Sequence, residues 1–458
     1  MAELNLSYLI HLAGLKEDAY RQLEALKRFL VEHNCTFRGE PMPLLMKPNF
    51  LSRQQTKSIA FGVEHICSAL NKFITLYLND PEVREIMRFS DNENLLFSID
   101  PGYNIPLVIS RLDAFLHKES IKFLEFNSDS PAGMAYSDIM EAGFYNLFGE
   151  YPFLKNWEID FINRQEMLLK ALITCYREFR AESRSFPEKP VIAIVDWEDI
   201  STASEFLILQ DFFKTKGLET IIGSPLAFRQ SGGKALLDGQ EVHLVYRRVI
   251  TRELLEKWDE VADFVECIKS KLVCCCNSFR SYIVGNKKVL AIITDPRFQN
   301  IYSKDELNVI QKSIPWTKII SDTKVSFGNL KINLKEFIIE NKNTLVMKPA
   351  NLYGGKDVYL GPETEQEKWE KILFDHLDDH SWIVQEYIDI PVDLYPVINN
   401  GLHLELKKVN INPFSFLGKY SGSITRVSDN SVINVSVGGG LVPTLCVGDR
   451  LISKGHNP

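Results

Sequence analysis

The sequence predicts a mixed α/β and α+β protein with a helical N-terminal cap. Three observations carry this. Apolar residues recur at helical spacing in two long stretches near the start. Strands and helices alternate between about 190 and 246, the pattern of a small parallel α/β unit. A strand, a glycine-rich loop and a second strand follow one another from Thr344 to Leu360. The expected partition is a helical cap over 1–95, a segment carrying clustered polar residues over 96–185, a small α/β unit over 186–270, and two further α+β lobes over 271–458.

The first helix is expected over 5–33, where Leu9, Leu12, Leu15, Tyr20, Leu23, Leu26, Phe29 and Leu30 share one face. Ile59, Val63, Ile66, Leu70 and Phe73 give a second over 53–79. A hairpin follows at about 105–128, then a turn rich in small residues and a helix starting near Ala135. The amides and hydroxyls of that turn suit an anion at a helix start, or simply a turn and N-cap. A helix over 160–183 leads through Phe186–Pro190 to Val191–Asp196, a strand apolar enough to be buried on both faces. A helix over 202–216, a strand at Glu219–Ile222, a loop at Gly232–Gln240 and a strand at His243–Tyr246 complete the α/β unit. Arg247 and Arg248 end that last strand, where α/β sheets bind ligands; a surface cationic pair is the plainer reading. Beyond it, Val289–Ile293 is a strand or helix, Thr344–Met347 and Val358–Leu360 flank the glycine loop, and 364–377 is a helix. Trp382–Ile388, Tyr420–Val427 and Asn434–Val437 are further strands.

The composition narrows the function. The chain has 458 residues, ordinary apolar and charged content, and a formal net charge of −8. A general nucleic-acid binder would carry a basic excess. Eight cysteines include the run Cys274-Cys275-Cys276 but no C-x-x-C pair, so no zinc site is expected and a buried strand is. Free cysteines suit a reducing compartment. No signal peptide or membrane-length apolar run is read, so the expected location is the cytoplasm. No Gly-x-Gly-x-x-Gly is present, which removes the main indication of a nicotinamide or flavin cofactor.

Chemistry concentrates in Ser110–Met134. On a strand, residues two apart share a face. Arg111 and Asp113 then point one way, as do Glu125 and Asn127, with Leu124 and Phe126 opposite. An antiparallel hairpin would gather two carboxylates, an amide oxygen and a guanidinium. Hard cations such as Mg²⁺ take such oxygens, and a guanidinium forks onto phosphate or carboxylate. Taken alone, a solvated hairpin with a surface salt bridge fits as well. The second concentration is Lys348-Pro349 followed by Asn351-Leu352-Tyr353-Gly354-Gly355-Lys356. A flexible glycine loop lets amides close over phosphates, and lysine neutralises them. An exposed Gly-Gly hairpin is the alternative. It is not a Walker A motif, because Asp357 follows Lys356.

Taken together, the motifs resemble the circularly permuted ATP-grasp family, specifically its glutathionylspermidine synthase-like group. The pieces are Arg111-x-Asp113 with Glu125-x-Asn127-x-Asp129-x-Pro131, Gly239 to Tyr246-Arg247-Arg248, Asn286-Lys287-Lys288, Met347-Lys348-Pro349 with Tyr353–Lys356, and Gln385-Glu386-Tyr387 with Arg426 and Gly438-Gly439. The resemblance runs from about residue 95 onward. It implies ATP between two α+β lobes and an inserted pre-ATP-grasp-like α/β unit. It implies Mg²⁺ on Asp113, Glu125 and Asn127, and phosphates on Lys287 and Lys348 beneath the Tyr353–Lys356 flap. It further implies adenine beside Gln385, Glu386 and Tyr387, Arg111 on the reacting acyl phosphate, and Ser128, Ser130, Arg247 and Arg426 toward substrate. The implied activity is an ADP-forming carboxylate–amine ligase acting on small molecules, without nucleic acid or membrane partners. An ATP-grasp kinase and a non-catalytic nucleotide binder are the other readings. The chain departs from the group in having no evident N-terminal amidase domain and in Ser-Asp-Ser-Pro-Ala-Gly after Asn127, where a threonine-rich segment is usual.

Overall fold

A computed structural model describes residues 1–15, 17–181, 186–328, 330–352, 354–398, 401–433 and 438–451. Tyr353 and the strand expected at Asn434–Val437 lie outside these. The helix expected over 5–33 is two helices, Ala2–Leu15 and Glu17–Glu32. Their apolar stripes run on in sequence, and Glu17–Glu32 divides between two cores, its Leu23 packing against the core of Ala2–Leu15. Leu4, Tyr8 and Leu12 pack with Phe144 and Phe148, whereas Leu30 packs with Met140. The second helix is Arg53–Asn79, opened by a reciprocal cap between Ser52 and Gln55. Its stripe Ile59, Val63, Ile66, Leu70 and Phe73 is buried as expected. That stripe packs with Leu112, Ala114, Phe123 and Phe126 of the hairpin.

The hairpin itself is Ile109–His117 with Ser120–Asn127, paired antiparallel. It forms one side of a six-stranded antiparallel sheet whose other strands come from the far end of the chain. Leu402–Phe416 pairs with Ile109–His117, then come Lys419–Ser428 and Gly440–Val442, with Val392–Ile398 on Leu402–Lys408. Chain segments some 300 residues apart thus share one sheet.

Two further sheets flank this one. The α/β unit is a four-stranded parallel sheet in the order Cys274–Cys276, Leu244–Arg247, Ile192–Val195, Thr220–Gly223. All of Ile192–Val195 is buried. The cysteine run is its buried edge strand, and all eight cysteines are free and buried. This sheet therefore extends past residue 270. The loop expected at Gly232–Gln240 is instead part of a small three-stranded sheet, Phe228–Ser231, Lys234–Leu237 and Gln240–Glu241, because its two tight glycine turns fold successive short strands back on one another. Val289–Ile293 is helical, within Lys288–Ile293. The third sheet is antiparallel, Thr317–Ile319, Trp382–Glu386, Leu345–Pro349 and Tyr359–Leu360. Among the described residues no helix is long and apolar enough to cross a membrane.

Candidate functional site

The three sheets meet around a cavity of ≈ 640 Å³. The central sheet supplies Arg111, Asp113, Glu125, Asn127, Asn410 and Arg426. The antiparallel sheet and its glycine loop supply Val346, Lys348, Gly354, Gly355, Lys356 and Gln385–Tyr387. Asp196 and Arg248 reach it from the C-terminal ends of parallel strands, the ligand position of α/β sheets.

Hairpin register brings the polar face together. Arg111 lies opposite Asn127, and Asp113 opposite Glu125. Asp113 is 8 % exposed. Its Oδ1 accepts from Asn127 Nδ2 at 2.9 Å and from Arg111 Nε at 3.4 Å; its Oδ2 accepts from Arg426 Nη1 at 2.9 Å. Past Asp113 the pairing skips one residue, Ala114 facing Phe123. This β-bulge turns Leu124 onto the cavity, against the alternation expected from sequence. The Leu124 carbonyl accepts from Lys348 Nζ at 3.0 Å.

Lys287 is buried and lies 3.3 Å from Glu125 Oε2; its Nζ also donates to the Leu352 carbonyl. Lys287 is not on the cavity wall but behind Glu125. Burial alone would raise the Glu125 carboxyl; the ammonium groups of Lys287 and Lys348 outweigh this and hold it below its ordinary value. Burial pulls Lys348 down to about 8, with Lys287 adding to the fall. Burial, then Arg426, pulls Arg111 down to about 10. Four cations, Arg111, Lys287, Lys348 and Arg426, thus face two carboxylates, Asp113 and Glu125. Around Asp113 and Glu125 the surplus is two positive charges, which an anionic ligand would balance, while the rest of the wall sets Asp196, Glu253 and Glu386 against Arg248 and Lys356.

Glycine is required at the loop. Gly354 and Gly355 have φ of +77° and +73°, and a side chain at Gly355 would collide with Val432. The adjoining wall is apolar: Val346, Val358, Leu360, Ile388 and Ile390. The Gln385 side chain does not offer itself there. It is 2 % exposed and bonds Lys348 and Thr317. The Glu386 and Tyr387 amides donate to the Trp316 and Thr344 carbonyls.

Two residues expected to face substrate sit elsewhere. Ser128 is buried and donates to the Ser281 carbonyl at 2.7 Å. Arg247 is fully buried against Asp129, at 2.6 Å. Adjacent strand residues point to opposite faces, so Arg248 faces the cavity and Arg247 cannot. Ser130 does line it, with an Oγ that has no partner. The helix start near Ala135 is already filled. Glu205, fully buried, accepts from Gly133 N at 2.9 Å and Ala135 N at 3.1 Å and lies 3.6 Å from Arg248. The anion expected at that helix start is therefore the protein's own.

Sequence reasoning missed Asp196, Trp197 and Glu253 on the wall beyond Arg248. Burial lifts the Asp196 carboxyl to about 6, Arg248 opposing. Trp197 joins the pair: its amide donates to Asp196 Oδ1 at 2.8 Å and its indole to Glu253 Oε2 at 2.7 Å. The position of Asp196 at a strand end was the available signal.

No group of three or more His, Cys, Asp or Glu side chains suited to a metal occurs among the described residues. Asp113 and Glu125 with the Asn127 amide oxygen are the hard-oxygen set present, and they fit Mg²⁺, which takes one or two carboxylates plus ligand phosphates.

No protein-family model matches the chain. It is 21 % identical over 460 residues to uncharacterized proteins of Mycobacterium bovis and Mycobacterium tuberculosis, covering 93 % of this chain and 78 % of theirs. Over 115 residues it is 30 % identical to a putative glutamate–cysteine ligase of Frankia casuarinae, covering 23 % of this chain and 13 % of that one. Among solved structures it is similar to a glutathione synthetase-like effector from Globodera pallida in its apo form. There the TM-score is 0.60 and the identity 11 %, over 93 % of this chain and 96 % of that one. From the sheet around the cavity to the flanking lobes, the chain has a fold similar to that of a glutathione synthetase-like protein over nearly its whole length.

Proposed function

We propose that the protein is an ATP-dependent carboxylate–amine ligase of circularly permuted ATP-grasp type, forming ADP through an acyl phosphate. The carrying observation is the surplus of two buried positive charges around Asp113 and Glu125. It lies beside an apolar slot and beneath a glycine loop. A polyphosphate tail on a flat apolar base matches both ends. The likeness in fold to a glutathione synthetase-like protein supports the reading, as does the short similarity to a putative glutamate–cysteine ligase.

In this reading adenine lies against Val346, Leu360 and Ile388, and the phosphates against Lys348 and Lys356. Asp113, Glu125 and Asn127 would hold Mg²⁺, which supplies charge neutralisation at the phosphates. Arg111 and Arg426 bracket Asp113 and orient the substrate carboxylate. That carboxylate attacks the γ-phosphorus, the bond from the γ-phosphorus to the bridging oxygen breaks, and ADP leaves. An amine then attacks the acyl carbon, the carbon–oxygen bond to phosphate breaks, and the nitrogen loses a proton. Positioning and cationic stabilisation carry the phosphoryl step, which needs no protein nucleophile.

The test is ADP and phosphate release from Mg²⁺-ATP across a panel of amino acids, small peptides and amines. Release that requires both a carboxylate and an amine, and is lost in Lys348→Ala, supports the ligase. A stable phosphorylated product formed without amine would replace it with a kinase.

A further inference from the structure

Lys348 is held from behind by a hydrogen-bonded chain running across the antiparallel sheet. Its ammonium has three N–H donors and no acceptor. One donor goes to the Leu124 carbonyl at 3.0 Å, a second to Gln385 Oε1 at 2.9 Å. Gln385 Nε2 donates in turn to Thr317 Oγ1 at 2.9 Å, and the Thr317 hydroxyl donates to the Pro315 carbonyl at 2.8 Å. Each link has one possible polarity. A lysine cannot accept, so the Gln385 oxygen must face it and the Gln385 nitrogen must face Thr317. The Thr317 hydroxyl, accepting there, spends its own proton on Pro315.

Sheet register builds this chain. Thr317 lies directly opposite Gln385. Lys348 lies opposite Ile383, two residues from Gln385 and therefore on the same face. Gln385 and Thr317 are 2 % and 0 % exposed, so no water replaces a lost partner cheaply. With two donors fixed on protein oxygens, the remaining one is left for the cavity.

We infer that Gln385 and Thr317 are positioning residues that aim the Lys348 ammonium at a nucleotide phosphate, and that Gln385 has no contact with adenine. This rests on the nucleotide reading above. The experiment measures ATP and adenosine affinity by calorimetry for the wild-type chain, Gln385→Met, Thr317→Val and Thr317→Ser. A bond to a charged group of this kind corresponds to roughly ten- to hundredfold in affinity. Gln385→Met and Thr317→Val should weaken ATP to that extent while adenosine changes less than twofold. Thr317→Ser keeps the hydroxyl and should bind ATP like the wild type. In a Lys348→Ala background Gln385→Met should add nothing, which tests the coupling without adenosine. Equal losses for ATP and adenosine, a Thr317→Ser variant as weak as Thr317→Val, or additive losses with Lys348→Ala would each overturn the inference. A wild-type chain that does not bind ATP would instead remove the ligase reading, and this one with it.

Discussion

Glu125→Gln separates the roles that the site gives to one carboxylate. In the free protein Glu125 compensates Lys287 at 3.3 Å, and Lys348 adds to the field on it. At an effective dielectric constant near 20, a pair at that distance interacts by about 5 kcal/mol before desolvation is subtracted. Stripping one partner from a buried pair costs roughly 3–5 kcal/mol. A quarter of the Glu125 side chain stays open to the cavity (25 %), so the lower end applies, about 3 kcal/mol of folding stability. The substitution also raises the cationic surplus from two to three. ATP in EDTA should therefore bind more tightly, by at least about 1 kcal/mol or roughly fivefold. Mg²⁺-dependent turnover should fall at least a hundredfold, since an amide is a poorer ligand for Mg²⁺ than a carboxylate. Urea unfolding, calorimetry with and without Mg²⁺, and phosphate release check the three signs. A variant that keeps Mg²⁺-dependent turnover while losing ATP affinity in EDTA would refute the reasoning, because Glu125 would then be contacting nucleotide rather than metal.

Arg111→Ala should lower kcat about a hundredfold and change ATP affinity less than threefold, measured by steady-state kinetics and calorimetry; a pure loss of ATP affinity contradicts its place beside the reacting carboxylate. Glu205→Ala leaves two helix-start amides and Arg248 without their anion, so urea unfolding should show a loss of roughly 3–5 kcal/mol, and a loss under about 1 kcal/mol would sink that assignment. Asp196 tests the far wall through pH. Its folded value of about 6, raised mainly by burial from 3.8, means the folded form binds more protons than the unfolded one between those values. Stability from this group is therefore greatest below about 4 and is lost as pH rises to about 6, a change of about 3 kcal/mol. Asp196→Asn should lack that fall, so its stability relative to wild type should improve from pH 4 to pH 7; parallel curves for the two proteins would disprove it.

What the sequence made legible is what depends on near neighbours. Strand alternation placed Arg111 with Asp113 and Glu125 with Asn127, and glycine's freedom at positive φ marked the loop at Gly354-Gly355. What it hid depends on distant partners. The bulge at Leu124 exists only in relation to the opposite strand. Whether Arg247 or Arg248 meets the cavity is a matter of strand phase, fixed by Asp129 on another element. Glu205 fills a helix start some 70 residues earlier in the chain, where local reading expected a ligand. Gln385 sits in a motif that resembles an adenine hinge, yet its side chain belongs to Lys348 and Thr317 through cross-strand register. The same distinction governs the charge. Arg426 reaches Asp113 across 313 residues because Leu402–Phe416 pairs with both of their strands and sets them on either side of itself in the central sheet. A hairpin with one arginine and two carboxylates would attract a cation on its own. Adding Arg426, Lys287 and Lys348 reverses the sign, so in the proposed reading a surface that would attract a bare metal becomes one that needs the metal's phosphate partner as well.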